Sequence, residues 1–370
     1  MSQSYLPNIS PLNTLTSDDA INLLVSSTAL EELGLRQLIH VDSVKPISVW
    51  PAEAMDIEAI GDPDVTEIAG ASLPSAVNLI YVANAGNDNV SVIDGNTNTV
   101  IATVAVGSIP FGVGVNSNTN RIYVANLVSN NVSVIDGITN TVIATVTVGN
   151  SPFGVGVNPN TNLIYAVNLS GSNVSVISGL SNTVIATVAV GIGPQGIEVN
   201  PITNRIYVAN STNNNVSVIS GITNTVVATV SVGFEPVGIG INPIDNRIYV
   251  TNSASNNVSV ISGLSNTVIA TVTVGNDPEF GVAVNPNTNL IYVVNINSGN
   301  VSVIDGNANT VISTIPVGSQ PYDVSVNSLT NGIYVGNNGG NNTSVIDGNT
   351  NTIIATFAVG NGPTGVKVNP

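Results

Sequence analysis

The chain has 370 residues, enough for two or three ordinary domains or for one large repeat body. Only 8% of them are charged and 43% are hydrophobic, which excludes a disordered chain, and no run of about 18 apolar residues lacks Asn, Ser, Gly or Pro, which excludes a spanning helix. The net charge of −16 disfavours nucleic acid and anionic membranes, because both reward Lys and Arg.

Cysteine is absent, so disulfides, thiol catalysis and thiolate metal sites are unavailable. The first residues, MSQSYLPNISPLNTLTSDDA, show no basic stretch followed by an apolar core. A Sec-type signal peptide is therefore not expected. A place on a cell or spore surface requires another export route, and the chain is otherwise cytoplasmic.

Residues 16–34 predict a helix. Thr16 caps it, Asp18 and Asp19 favour its positive end, and Gly34 terminates it. Leu23, Leu24, Leu30 and Leu33 recur at helical spacing with Ala20 and Ile21. A second short helix is expected from Leu35 to Val41. Residues 42–75 are acidic, contain Pro46, Pro51, Pro63 and Pro74, and read as a linker. The expected division is thus 1–41 helical, 42–75 linker and 76–370 repeat body. The stretch NLLVSSTALEELGLRQLIHV is similar to N-terminal segments of spore-surface proteins from spore-forming bacteria. The helix is expected to dock on the repeat body or to mediate oligomerisation.

Beyond residue 76 the sequence repeats. Tyr81, Tyr123, Tyr165, Tyr207, Tyr249, Tyr292 and Tyr334 are spaced by 42 residues, with a single 43 between Tyr249 and Tyr292. Each unit predicts four strands, such as 112–116, 121–126, 131–136 and 141–148, rich in Val, Ile, Thr and Tyr and separated by Asn, Gly, Ser and Pro. About ten residues per strand and turn leave no room for crossover helices, so neighbours are antiparallel. Small residues at Gly114, Gly156, Gly240, Ala283 and Ser325 place the first strand where blades crowd at an axis. The fourth strand is apolar with small polar interruptions, which predicts cover on both faces.

The first unit lacks its first strand, and the chain ends on a lone fragment of that kind, GVKVN at 365–369. The two ends complement each other, so the expected fold is all-β: a seven-bladed propeller of four-stranded antiparallel blades, closed by the C-terminal strand behind a short α-helical segment. An open solenoid would need polar end caps, and none is present. The motifs IYVAN, NVSVIDG, TNTVIATV and Pro-x-Gly resemble the YVTN family of β-propeller repeats over residues 76–370. The resemblance implies a surface-layer, extracellular or periplasmic setting and no defining catalytic residues.

Catalytic chemistry is sparse. His40 is the only histidine and Trp50 the only tryptophan, and both precede the repeats, so Ser-His-Asp triads and His-based metal sites are unavailable in the propeller. Candidate ligand-binding residues follow the Pro of each Gly-x-x-Pro loop: Phe111, Phe153, Gln195, Val237, Glu279, Phe280, Tyr322 and Thr364. Glu235, Asp277, Glu279 and Asp323 gather on three consecutive blades, and the extra residue of the 43-residue unit lies in the same region. Those four acids have two readings: a site for a hard cation such as Ca²⁺ or for a basic ligand group beside an aromatic rim, or solvated loop charges. Glu198 and Lys367 stand where sister repeats have Gly, Ala or Ser, on blades opposite each other, and are expected to line the channel separately. Six Asn-Val-Ser sequons open the third strands at Asn89, Asn131, Asn173, Asn215, Asn257 and Asn300 and are read as products of the repeat.

Near-identical blades favour a non-enzymatic surface structural, adhesion or scaffold protein that binds protein or surface partners. The alternatives are a cation-dependent small-ligand binding module and, further off, a carboxylate- or metal-dependent lactonase-like enzyme.

Overall fold

The computed structural model describes residues 78–370. The helices expected at 16–34 and 35–41, the linker, His40 and Trp50 lie outside the described residues. Twenty-eight strands, from β1 (Leu79–Asn84) to β28 (Pro363–Asn369), form seven antiparallel sheets of four. Among the described residues no helix is long and apolar enough to cross a membrane.

The seven first strands are β4 (Pro110–Asn116), β8 (Pro152–Asn158), β12 (Pro194–Asn200), β16 (Pro236–Asn242), β20 (Pro278–Asn285), β24 (Pro321–Asn327) and β28. Each touches the next, and β28 touches β4, so they make a closed inner ring. Blade 1 is built from both ends of the repeat body, with β28 pairing to β1 from Leu79↔Asn369 to Ala83↔Gly365. Blades 2 to 7 begin at β4, β8, β12, β16, β20 and β24.

The core lies between blades rather than within them. Tyr81, Val90 and Val92 of blade 1 pack on Val113, Ile122 and Ile135 of blade 2, and the same sandwich recurs around the ring to Tyr334, Val345 and Ile80 between blades 7 and 1. Strand alternation creates this: Tyr81 and its equivalents face one neighbouring blade while Ile80 and Val82 face the other.

Asparagine supplies the polar closure. Asn116, Asn158, Asn200, Asn242, Asn285 and Asn327 donate through Nδ2 to Oδ1 of Asn162, Asn204, Asn246, Asn289, Asn331 and Asn78 on the following blade, at 2.7–2.8 Å. Asn369 donates to Asn120 at 2.7 Å and completes a cycle of seven. Six of the acceptors hold positive φ, from 49° at Asn120 to 57° at Asn331, a conformation that Asn tolerates better than most residues. Within each blade a second set ties the middle hairpin. Asn126 donates to Asn131 Oδ1 and to Ser133 Oγ, for example. The sequon Asn and Ser thus serve as hydrogen-bond acceptors of the repeat.

The fourth strands correct one expectation. They are outermost and largely exposed: six of them bury one side chain, such as Val104 in Thr99–Ala105, and the seventh, Thr352–Ala358, buries none fully. Blades diverge with distance from the axis, so neighbours cover the inner strands and not the rim. Closure of the ring therefore leaves seven outer edges. Each carries a bulge, as at Ile101, which the pairing of Val92 with Ala102 and of Ile93 with Val100 skips; bulges spoil edge-to-edge pairing.

Asn200→Ala is expected to lower stability by about 1–2 kcal/mol in urea unfolding, because it breaks a partly buried interblade bond and strands the carbonyl oxygen of Asn246. A change within error would show that the cycle is ornamental.

Candidate functional site

Phe111, Phe153, Phe280 and Tyr322 come from blades 2, 3, 6 and 7, each just after the Pro that starts an inner strand. They do not stand apart as a rim. Their rings meet across the mouth of the ring, with centroids 4.0 Å apart for Phe111–Phe153, 4.7 Å for Phe153–Phe280, 5.6 Å for Phe280–Tyr322 and 5.7 Å for Phe111–Tyr322. The extra residue of blade 6 explains how Phe280 takes part. Between Pro278 and Val282 the register shifts, so Phe280 occupies the position of Phe111 and Glu279 is the insertion. Thr364, the blade 1 equivalent, is buried and bonds to the carbonyls of Pro110 and Ala83, so it secures the closing strand and presents nothing to a ligand.

Beside the aromatic cluster, blades 4 to 6 form an open depression of about 670 Å³. Gln195, Val237 and Glu279 make its inner wall, Ser211, Thr212 and Asn214 one side, and Ser253 and Ala254 the other, with Phe234 and Glu235 between them. Phe234 is 67% exposed. Gln195 donates to Ser211 Oγ at 3.0 Å. Val237 is buried and contributes only wall.

The acids divide. Burial pushes Glu279 up to about 7, helped by Asp277 and then Glu235. Asp277 is raised by burial and by Glu235, and it accepts a hydrogen bond from Asn297 at 3.0 Å. Asp323 is not part of this group, which corrects the four-carboxylate cluster. It stands where six sister blades have Gly112, Gly154, Gly196, Gly238, Gly281 and Gly365, and its oxygens accept from the amides of Val324 and Val366, both at 2.8 Å. Among the described residues no three His, Cys, Asp or Glu side chains converge closely enough to hold a metal ion. Burial raises Tyr322, with Glu279 and Asp323 adding to it.

Glu198 and Lys367 correct a second expectation. They lie on blades 4 and 1, yet Lys367 Nζ sits 3.0 Å from Glu198 Oε2 across the channel. At this register the other inner strands carry Gly114, Gly156, Gly240, Ala283 and Ser325. With nothing between them, two long side chains from opposite walls reach each other. Lys367 is raised by Glu198 against the opposing effect of burial, with Asp323 adding to the rise. Burial pushes Asp323 up to about 6, while the amides of Val366 and Val324 and then Lys367 hold it back. The neutral repeat gives no cue to this pairing beyond two charges at one register; the span of the channel was the missing quantity.

A family model described as YNCE-like beta-propeller matches residues 43–369. No curated protein matches the chain in sequence. Among solved structures the chain is similar to Kuenenia stuttgartiensis hydrazine synthase, with a TM-score of 0.67 and 19% identity over 73% of this chain and 92% of that one. It is also similar to a functionally unknown protein from Desulfotomaculum acetoxidans, with a TM-score of 0.69 and 16% identity over 79% of this chain and 98% of that one. A third is dihydro-heme d1 dehydrogenase NirN in complex with DHE, with a TM-score of 0.61 and 16% identity over 77% of this chain and 64% of that one. At these identities the likeness concerns the fold.

Glu279 yields a pH prediction. Its folded value of about 7 exceeds the ordinary 4.5, so the fold favours the protonated form and loses stability as pH rises through that window. Glu279→Gln should therefore be nearly neutral at or below pH 4.5 and should stabilise by about 2 kcal/mol above pH 7, measured from urea midpoints. The opposite trend would refute the buried, acid-flanked setting. Lys367→Met should cost about 2 kcal/mol by leaving Glu198 uncompensated, less than for a dry pair because the two side chains remain 35% and 26% exposed. Adding Glu198→Gln should recover most of that loss; no recovery would deny the coupling.

Proposed function

The chain belongs to the YNCE-like beta-propeller family, and from that premise we propose that it is a non-enzymatic binding protein whose channel mouth holds a ligand with a protonated amine beside an apolar group. One observation carries this reading. The repeat departs from its pattern at Gln195, Phe234, Glu235 and Glu279, and these four residues line one depression. A cation placed there gains from Glu235 and Glu279, with Asp277 close behind, while Phe234 offers an exposed ring face for the apolar portion or for the cation itself. A bound cation would also offset the burial, and after it the repulsion from Asp277 and Glu235, that keep Glu279 partly protonated near neutrality.

The argument against catalysis is chemical. The propeller contains neither His nor Cys, so no serine or threonine hydroxyl of the depression has an imidazole base to activate it, and no thiol is present, as acyl transfer would need. Surface display is the setting we propose. Its support is a repeated rigid frame rich in Asn, Ser and Thr whose few differentiated positions lie on its two open faces, and labelling of intact cells and spores by antibody would test it.

The binding reading is tested by calorimetry with a lysine-containing peptide and its acetyl-lysine counterpart on the full chain. The free amine should bind, the acetylated peptide should not, and affinity should rise from pH 6 to pH 8 as Glu279 ionises. Glu279→Gln and Glu235→Gln should each weaken binding about tenfold. Equal binding of both peptides, or none at either pH, would contradict it.

A further inference from the structure

The face opposite the aromatic mouth carries the hairpins that join third to fourth strands, and their tips differ between blades. Blades 2 to 5 place Ile138, Leu180, Ile222 and Leu264 there, exposed by 78%, 90%, 83% and 91%. Blades 1, 6 and 7 place Asn96, Asn307 and Asn349 at the same point. The turns are alike, since each holds an Asn two residues later at positive φ, from 52° at Asn224 to 55° at Asn98. The fold therefore accepts either residue at the tip and gains nothing from the aliphatic one.

Charge divides along the same line. The third strand ends in Asp94, Asp305 and Asp347 on blades 1, 6 and 7, but in Ser178, Ser220 and Ser262 on blades 3 to 5. On blade 2 Asp136 is answered by Arg121 at 3.4 Å. All three arginines of the propeller, Arg121, Arg205 and Arg247, start second strands on blades 2, 4 and 5. Arg247 faces Asp245 at 3.5 Å, and Arg205 has no ion pair among the described residues. In a chain of net charge −16, this arc is the one place among the described residues that sets arginines beside exposed aliphatics. The outer strands of blades 2 to 5 adjoin in sequence, so the four tips follow one another along one side of this face.

We propose that this arc docks an acidic polypeptide segment of a partner protein that bears leucine-class side chains. The four tips take its apolar residues, and Arg205, which has no ion pair among the described residues, takes a carboxylate, for which a guanidinium fork is well shaped, while Arg121 and Arg247 are shared with Asp136 and Asp245. A run of exposed aliphatics on four successive blades of one face, which the turns themselves do not require, points to an interaction surface. A second copy of this chain fits less well, because the rest of this face offers Asp94, Asp305 and Asp347 with Asn tips and a single exposed aliphatic, Leu329.

The probe is a labelled amphipathic peptide of Leu and Glu, read by fluorescence anisotropy against the full chain, with Leu/Lys and Ser/Glu peptides as controls. The Leu/Glu peptide should bind and both controls should fail. Replacing Ile138→Asn, Leu180→Asn, Ile222→Asn and Leu264→Asn together should weaken binding about tenfold or more. These changes copy residues that sister blades already carry, so an unchanged melting transition is expected and confirms the fold. Arg205→Leu, which copies Leu163 and Leu290, should weaken binding severalfold and flatten its salt dependence. Three results would overturn the proposal: no binding of the Leu/Glu peptide, equal binding by the fourfold variant or by the Leu/Lys peptide, or self-association in sedimentation that the fourfold variant abolishes, which would make a second copy the occupant.

Discussion

Everything in this protein rests on the pairing of its last strand with its first. β28 lies against β1 over the whole length of the strand, Asn369 supplies the seventh bond of the asparagine cycle, and Val366 and Val368 complete the core between blades 7 and 1. Because each apolar layer lies between two blades, an unclosed ring would leave two complete faces in water. Hydrophobic burial of this kind is proportional to area and has no directional term of its own. Direction comes from the asparagines, which fix the blade-to-blade register at one polar contact per step.

Such a ring is nearly symmetric, and its individuality lies in the few positions where symmetry breaks. The inner strands lose theirs at Glu198 and Lys367, which join opposite walls of the channel, and at Asp323, which ties blade 7 to the neighbouring closing strand. The mouth loses its own through four aromatic rings on blades 2, 3, 6 and 7 and a carboxylate-lined depression on blades 4 to 6. The opposite face separates an aliphatic, arginine-bearing arc from an acidic one. Apart from the inserted Glu279 of blade 6, the frame is unchanged and only side chains vary, as befits a fold that carries its function in grafted sites.

Much of this was legible in the residues. The 42-residue spacing of tyrosines set blade count and strand order, and the stray GVKVN at the end foretold the closure. What escaped depends on distances that a linear pattern does not contain. Val-Ile-Ala-Thr-Val reads as a covered strand, but wedge-shaped blades splay apart at the rim and leave it exposed. Glu198 and Lys367 sit three blades apart, and only the width of the channel makes them partners. The residues after each Pro were found by their variability, whereas their meeting in one cluster, and the departure of Asp323 from the other acids, followed from the inward direction of the inner strands. The tip residues Ile138, Leu180, Ile222 and Leu264 were visible as a departure from Asn all along; their exposure is what gives them meaning.

Closure by the C-terminal strand is tested most directly by complementation. A chain ending at Asn361 should lose its cooperative urea transition and bind a hydrophobic dye, and addition of a synthetic peptide of residues 362–370 should restore the transition in a concentration-dependent way. A truncated chain that unfolds like the full one, with no response to the peptide, would contradict the ring.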